Sequence, residues 1–118
     1  MSEIFIAFVI SWSVIDGDTI KVEASVWPGI VVVERVRLNG IDAPEMRAPK
    51  QCEREVAVKA KVYLSGRLSE AKRITLFVSG RDSFGRVLAS IDIDGADLGA
   101  LMLTAKLARP YGKKSEWC

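Results

Sequence analysis

The hydrophobic pattern changes period between Lys50 and Leu68, and that change limits the folds open to this chain. Ile4 to Ile15 is apolar and β-branched and ends at Asp16-Gly17, a strong hairpin signal. From Asp18 to Val26 apolar Ile20, Val22 and Ala24 alternate with Thr19, Lys21 and Glu23, as in a half-buried strand. Trp27-Pro28-Gly29 makes a second turn, and Ile30 to Ile41 reads as a third strand. Pro44 and Pro49 then bracket a loop. Beyond it Cys52, Val56, Ala60, Tyr63 and Leu64 fall on one helical face between Lys50 and Leu68, with Glu53 and Glu55 in the first turn and Gly66 near the stop. Strands follow at Ile74 to Val78 and Val87 to Ile93, joined by the turn-rich Gly80–Gly85, and a second helix is expected from about Ala96 to Lys106, ended by Pro110.

The expected order is three strands, a helix, two strands and a helix. Five strands with a helix between the third and fourth match an α+β, mainly β, OB-fold: a small Greek-key barrel often used to bind oligonucleotides. The 118 residues are read as one domain, 1–118. The Ile4–Ile10 run is read as a buried first strand. It lacks a positive leading region and a small-residue cleavage site, so no signal peptide is recognisable, and no stretch approaches the ~20 apolar residues of a membrane span.

Composition removes whole classes of chemistry. There is no histidine, so His-based acid–base catalysis, Ser-His-Asp triads and His-ligated zinc are excluded. Catalysis would have to come from carboxylates, Arg, Lys, Tyr, Ser or Thr, with a hard metal bound through oxygen. The formal charge of +2 permits contact with a polyanion without announcing it. Cys52 and Cys118 are too few for a zinc site. They could form a disulfide, which would imply a periplasmic or secreted protein, or remain free thiols, as in the cytoplasm.

Three segments concentrate polar groups: Asp16-Gly17-Asp18-Thr19, Arg37-Leu38-Asn39-Gly40-Ile41-Asp42-Ala43-Pro44-Glu45, and Asp82-Ser83-Phe84-Gly85-Arg86. Each alone is an ordinary polar turn or strand end. In this combination and order they resemble the staphylococcal nuclease (thermonuclease) family, and the likeness runs from about Ile4 to Tyr111.

The resemblance implies a calcium-dependent phosphodiesterase, a monomer acting on DNA and RNA with little sequence preference and leaving 3′-phosphate and 5′-hydroxyl ends. Asp18 and Asp42 would hold one Ca²⁺ through their side chains and Ala43 through its carbonyl, where relatives commonly carry Thr. Glu45 would activate or orient the attacking water, and Arg37 and Arg86 would grip the scissile phosphate. Tyr111 falls near the family's substrate-stacking tyrosines, or else packs over the core. Lys113, in a basic tail with Lys114, would touch phosphates or simply be solvated. Asp16 either supports the metal ligands or only shapes its turn, and Asp82 shapes the loop before Arg86. Trp12, Trp27 and Trp117 are read as packing residues.

Only Gly112–Cys118 follow Tyr111, so the family's last helix has no counterpart, and a Cys52–Cys118 bridge is the expected substitute, contributing about 4 kcal/mol in the chain-entropy model. The rival reading is a non-catalytic OB-fold module that binds single strands. Such a module would be expected to have lost one of Asp18, Arg37, Asp42, Glu45 or Arg86.

Overall fold

The computed structural model describes residues 4–114 and 116–118. The chain runs through β1 (Phe5–Asp16), β2 (Thr19–Trp27), β3 (Ile30–Leu38), β4 (Ile41–Asp42), α1 (Gln51–Glu70), β5 (Ile74–Arg81), β6 (Val87–Ile93), β7 (Ala96–Asp97), α2 (Leu98–Thr104) and β8 (Arg109–Pro110). β1, β2 and β3 form an antiparallel meander, and β5 pairs with both β1 and β6. A parallel pairing of β3 with β6, Val36 opposite Val87 through Leu38 opposite Ala89, closes five strands into a barrel. The expected OB-like architecture with two helices is therefore the one observed.

Alternation builds the core. Ile20, Val22 and Ala24 of β2 and Val36 and Leu38 of β3 point inward with Ala89 and Ile91 of β6, while α1 and α2 cap the barrel with Ala60, Leu64, Leu68, Leu98 and Met102. Gly17 is required by close approach. A Cβ there would lie 2.9 Å from the Cβ atoms of both Ala43 and Ala60, well inside the contact distance of carbon atoms. The glycine read as a hairpin signal thus lets the β1–β2 turn slip between the β4 exit and α1.

Several expectations need correction. β1 is not a buried strand: Ala7 is buried, whereas Ile6, Phe8 and Ile10 are exposed because their face of β1 looks outward from the closed barrel, and Phe5 is exposed at the strand's first position. β3 stops at Leu38, and the Asn39-Gly40 turn, with Gly40 at φ 80°, separates it from β4. The buried stripe of α1 is Ala57, Ala60, Leu64 and Leu68, and the helix continues through Gly66 to Glu70. Cys52 and Val56 lie on its half-buried flank. Glu55 sits beyond the first turn's single acidic residue, Glu53.

α2 is shorter than expected. Asp97 caps it by accepting from the Ala100 amide, and Lys106 at φ 61° turns the chain away just past its end. Pro110 therefore lies in β8 and not at a helix stop. Among the described residues no helix is long and apolar enough to cross a membrane.

Candidate active site

The closure of the barrel brings the three polar segments together. Arg37 is the penultimate residue of β3, and Arg86 immediately precedes β6, the strand paired with it. Asp18 lies in the β1–β2 turn, opposite the end of β3: its carbonyl accepts from the Leu38 amide at 2.8 Å. Asp42 ends β4, directly after the turn that follows β3.

Arg37 is the hub. Its Nη1 donates to the carbonyls of Leu38 (3.1 Å) and Ile41 (3.0 Å), which fixes the plane of the guanidinium. Nη2 then faces both Asp18 Oδ2 and Asp42 Oδ1, each at 3.4 Å. These two contacts are longer than the ~2.7–2.9 Å of tight charge-assisted bonds. Asp18 is buried, and its carboxylate also accepts from the Ala43 amide (3.1 Å) and the Thr19 hydroxyl (3.0 Å). Asp16 accepts from the Asp18 amide at 3.1 Å, so it shapes the turn and also lies beside the buried carboxylate.

The acids crowd one another. Burial pushes the Asp18 carboxyl above its ordinary 3.8, neighbouring Asp16 raises it further, and Arg37 and the Ala43 amide only partly offset this. Glu45 is likewise lifted above 4.5, first by partial desolvation and then by the charges of Asp18, Asp42 and Glu53. Its backbone is held in place: the Glu45 amide donates to Glu53 of α1 at 2.9 Å, and Arg54 clamps the Ala48 and Pro49 carbonyls at 2.7 and 2.8 Å. Among the described residues no three acidic or thiol side chains form a ready-made metal cage. Asp18 and Asp42 are the two carboxylates that share Arg37 Nη2.

The second arginine is organised by its own loop. Asp82 accepts from the Phe84 and Arg86 amides, each at 2.9 Å, and from Arg86 Nε at 2.7 Å. Lost hydration works against the ionised Asp82, but these bonds outweigh it and hold its carboxyl below 3.8. Arg81 braces the same hairpin through a bidentate pair with Glu34 and a bond to the Gly85 carbonyl. Arg86 Nη1 reaches Thr19 Oγ1 at a loose 3.3 Å, next to Asp18.

Arg37, Arg86, Phe84 and Tyr111 line one cleft of about 370 Å³. Residues 35–117 match the family of staphylococcal nuclease homologues. The chain belongs to that family. Among curated proteins, the SPbeta prophage-derived endonuclease YokF of Bacillus subtilis (strain 168) is 34% identical over 97 residues, covering 80% of this chain and 31% of YokF. The chain thus spans about a third of the length of that relative.

Within this staphylococcal nuclease fold the tail residues fall out unequally. Tyr111 is 71% exposed, which removes the core-packing alternative, and its ring lies 5.6 Å from the Arg37 guanidinium carbon. Lys113 is exposed and does not line the cleft. Trp12 packs against the core, whereas Trp27, 68% exposed at the β2–β3 turn, does not behave as the packing residue expected. Cys52 and Cys118 are joined as a disulfide with Cα atoms 6.3 Å apart, within the usual span.

Sequence reasoning missed Arg109, whose Nη2 lies 3.3 Å from Asp42 Oδ2. It passed over Thr19, Glu53 and Phe84 as well. Arg109 stands opposite Asp42 in the β4–β8 pair, and two-residue strands leave no periodic signal.

Proposed function

We propose that the protein is a calcium-dependent nuclease that hydrolyses phosphodiester bonds of DNA and RNA with little sequence preference, leaving 3′-phosphate and 5′-hydroxyl ends. The observation that carries this reading is Arg37. One guanidinium joins Asp18 and Asp42 on one side and lines, with Arg86 and Tyr111, an open cleft on the other. A phosphodiester is anionic and repels a water nucleophile, so its cleavage needs fixed positive charge beside a carboxylate base. Arg37 supplies the charge, and Glu45 lies near enough to feel the charges of Asp18, Asp42 and Arg37.

The donor set suits a hard cation. Buried Asp18 and half-buried Asp42 are held toward one point, and the mutual repulsion that lifts Asp18 and Glu45 is what a divalent ion would relieve. Asp18 and Asp42 would hold Ca²⁺ through carboxylate oxygens and Ala43 through its carbonyl, leaving positions for phosphate and water. When bound, the ion supplies Lewis-acid polarisation of a phosphoryl oxygen and a template for the reacting groups.

The chain's own residues account for the remaining chemistry. Arg37 Nη2 and Arg86 Nη1 make only long contacts within the protein, so a phosphate can recruit them without breaking a tight bond. Their planar forks donate to phosphoryl oxygens as charge accumulates there in the transition state. Glu45 accepts the proton of the attacking water, and such positioned transfer contributes ~10²–10⁴-fold. The bond from phosphorus to the 5′ oxygen breaks opposite the attacking water, and the leaving oxygen takes a proton from solvent to become the 5′-hydroxyl. Tyr111 offers an exposed ring face to a base, and phosphate grip with stacking carries little sequence information.

The test is digestion of single-stranded DNA and of RNA with Ca²⁺, and again with a calcium chelator. Cleavage that stops on chelation and returns with added Ca²⁺ is expected, with 3′ ends that a polymerase extends only after phosphatase treatment. Binding of both strands with no cleavage at any Ca²⁺ concentration would reduce the protein to a binding module.

A further inference from the structure

Asp42 is held from a side that the cleavage chemistry does not require. Arg37 approaches its Oδ1, while Arg109 approaches Oδ2 at 3.3 Å from the neighbouring strand. The Arg109 guanidinium in turn lies over the Trp117 ring, 4.5 Å from its centroid, and the next residue, Cys118, is bonded to Cys52 in the first turn of α1. The same corner includes Glu53, whose carboxylate holds the Glu45 amide.

We infer that Arg109 is a positioning residue for Asp42, and that the Cys52–Cys118 disulfide governs its hold through Trp117. The inference rests on the reading of Asp42 as a calcium ligand. A carboxylate that binds an ion through one oxygen must be kept from rotating. Arg109 contacts Oδ2 at 3.3 Å and so limits rotation of the carboxylate, favouring the orientation with Oδ1 toward Arg37. Trp117 limits where Arg109 can go, at a cation–π distance, and the disulfide limits where Trp117 can go. Cys118 is exposed, within reach of a dithiol reductant. Such a reductant transfers two electrons and two protons, breaks the S–S bond to two thiols and is itself oxidised to a disulfide. Freed, the segment around Cys118 releases Trp117, and Arg109 loses that ring contact.

The positive charge of Arg109 opposes this effect, since a cation beside a ligand repels Ca²⁺. Asp42 and Arg109 are both partly open to solvent, which screens that repulsion, whereas orientation is not screened. Loss of an outer partner of a metal ligand typically costs ~10–100-fold in affinity.

Calorimetric Ca²⁺ titration of the oxidised protein, Arg109→Gln, Cys118→Ser and the double variant tests the inference, with folding verified by circular dichroism. Expected are ~10-fold weaker binding in Arg109→Gln, a smaller loss in Cys118→Ser or on reduction with dithiothreitol, and no further loss when both changes are combined. Trp117→Ala, which leaves the disulfide intact, should reproduce the Cys118→Ser loss even if that variant folds poorly. Unchanged or tighter binding in Arg109→Gln would overturn the positioning role, and fully additive losses would overturn the route through the disulfide. A parent protein that binds no Ca²⁺ would defeat the calcium reading instead. The side-chain carboxyl ¹³C resonance of Asp42 in metal-free protein then still decides. It must shift on reduction in the parent and stay put in Arg109→Gln.

Discussion

Arg37 and Asp18 form a buried ion pair, with side chains 11% and 10% exposed, whose closest approach is 3.4 Å. The pair is poised and not tightly closed, since Nη1 is occupied by two carbonyls while Nη2 is shared between two carboxylates. Arg37→Lys keeps the charge but loses the fork that makes this sharing possible. Steady-state cleavage should fall by ~10²–10³-fold. Urea unfolding should also show a loss of about 1–3 kcal/mol, because the Leu38 and Ile41 carbonyls lose their donor. A lysine variant with near-parental rates would remove Arg37 from the phosphate grip.

Glu45→Gln should lower turnover by ~10²-fold or more while leaving Ca²⁺ affinity within a few-fold of the parent. The same change has a signed effect on stability. Partial burial and the charges of Asp18, Asp42 and Glu53 raise the folded pKa of Glu45 above 4.5. The folded state therefore takes up this proton more readily than the unfolded chain, and stability from this group is lost as pH rises through the raised value. The metal-free Gln variant should be slightly more stable than the parent at pH 7, by less than about 1 kcal/mol after solvent screening. The difference should vanish below the ordinary glutamate range, as denaturation at pH 4 and pH 7 would reveal.

Asp18→Asn and Asp42→Asn should each abolish Ca²⁺ binding at millimolar concentration. Asparagine keeps an oxygen for the Ala43 amide at position 18, so the barrel should remain folded and the calorimetric result will not reflect unfolding. Unchanged affinity in either variant would mean that the cation site lies elsewhere.

Asp82 should matter to rate without touching substrate. It binds Arg86 through both backbone and side chain, so Asp82→Ala frees the Arg86 side chain. A fall of about 10-fold in kcat/KM, carried mainly by kcat, is the expected outcome for a donor that has lost its preorganisation. Arg86→Lys should cost more, ~10²–10³-fold, and Asp82→Ala should add little in that background, which a double-mutant cycle measures.

The change to helical period between Lys50 and Leu68, and its reversal by Ile74, were enough to place three strands before α1 and two after it. The boundaries at Ile30, Val87 and Ile93 are local facts of β-branched alternation between turn residues. Asp18, Arg37, Asp42, Glu45 and Arg86 were singled out by the resemblance of three segments to the family, since each segment alone is an ordinary polar turn or strand end. The fold brings Asp18, Arg37 and Asp42 into contact and puts Arg86 on the same cleft as Arg37. The tertiary structure decided everything that depends on a second surface. Ile6 and Phe8 look like core residues in a one-dimensional pattern and are exposed, since only barrel closure determines which face of β1 is inside. The α1 stripe runs through Ala57 and not Val56, and at Ala60 the β1–β2 turn comes so close that a Cβ on Gly17 would lie 2.9 Å from its own. Arg109 came to Asp42 through a two-residue strand pair, a contact between distant parts of the chain that leaves no mark in either segment alone.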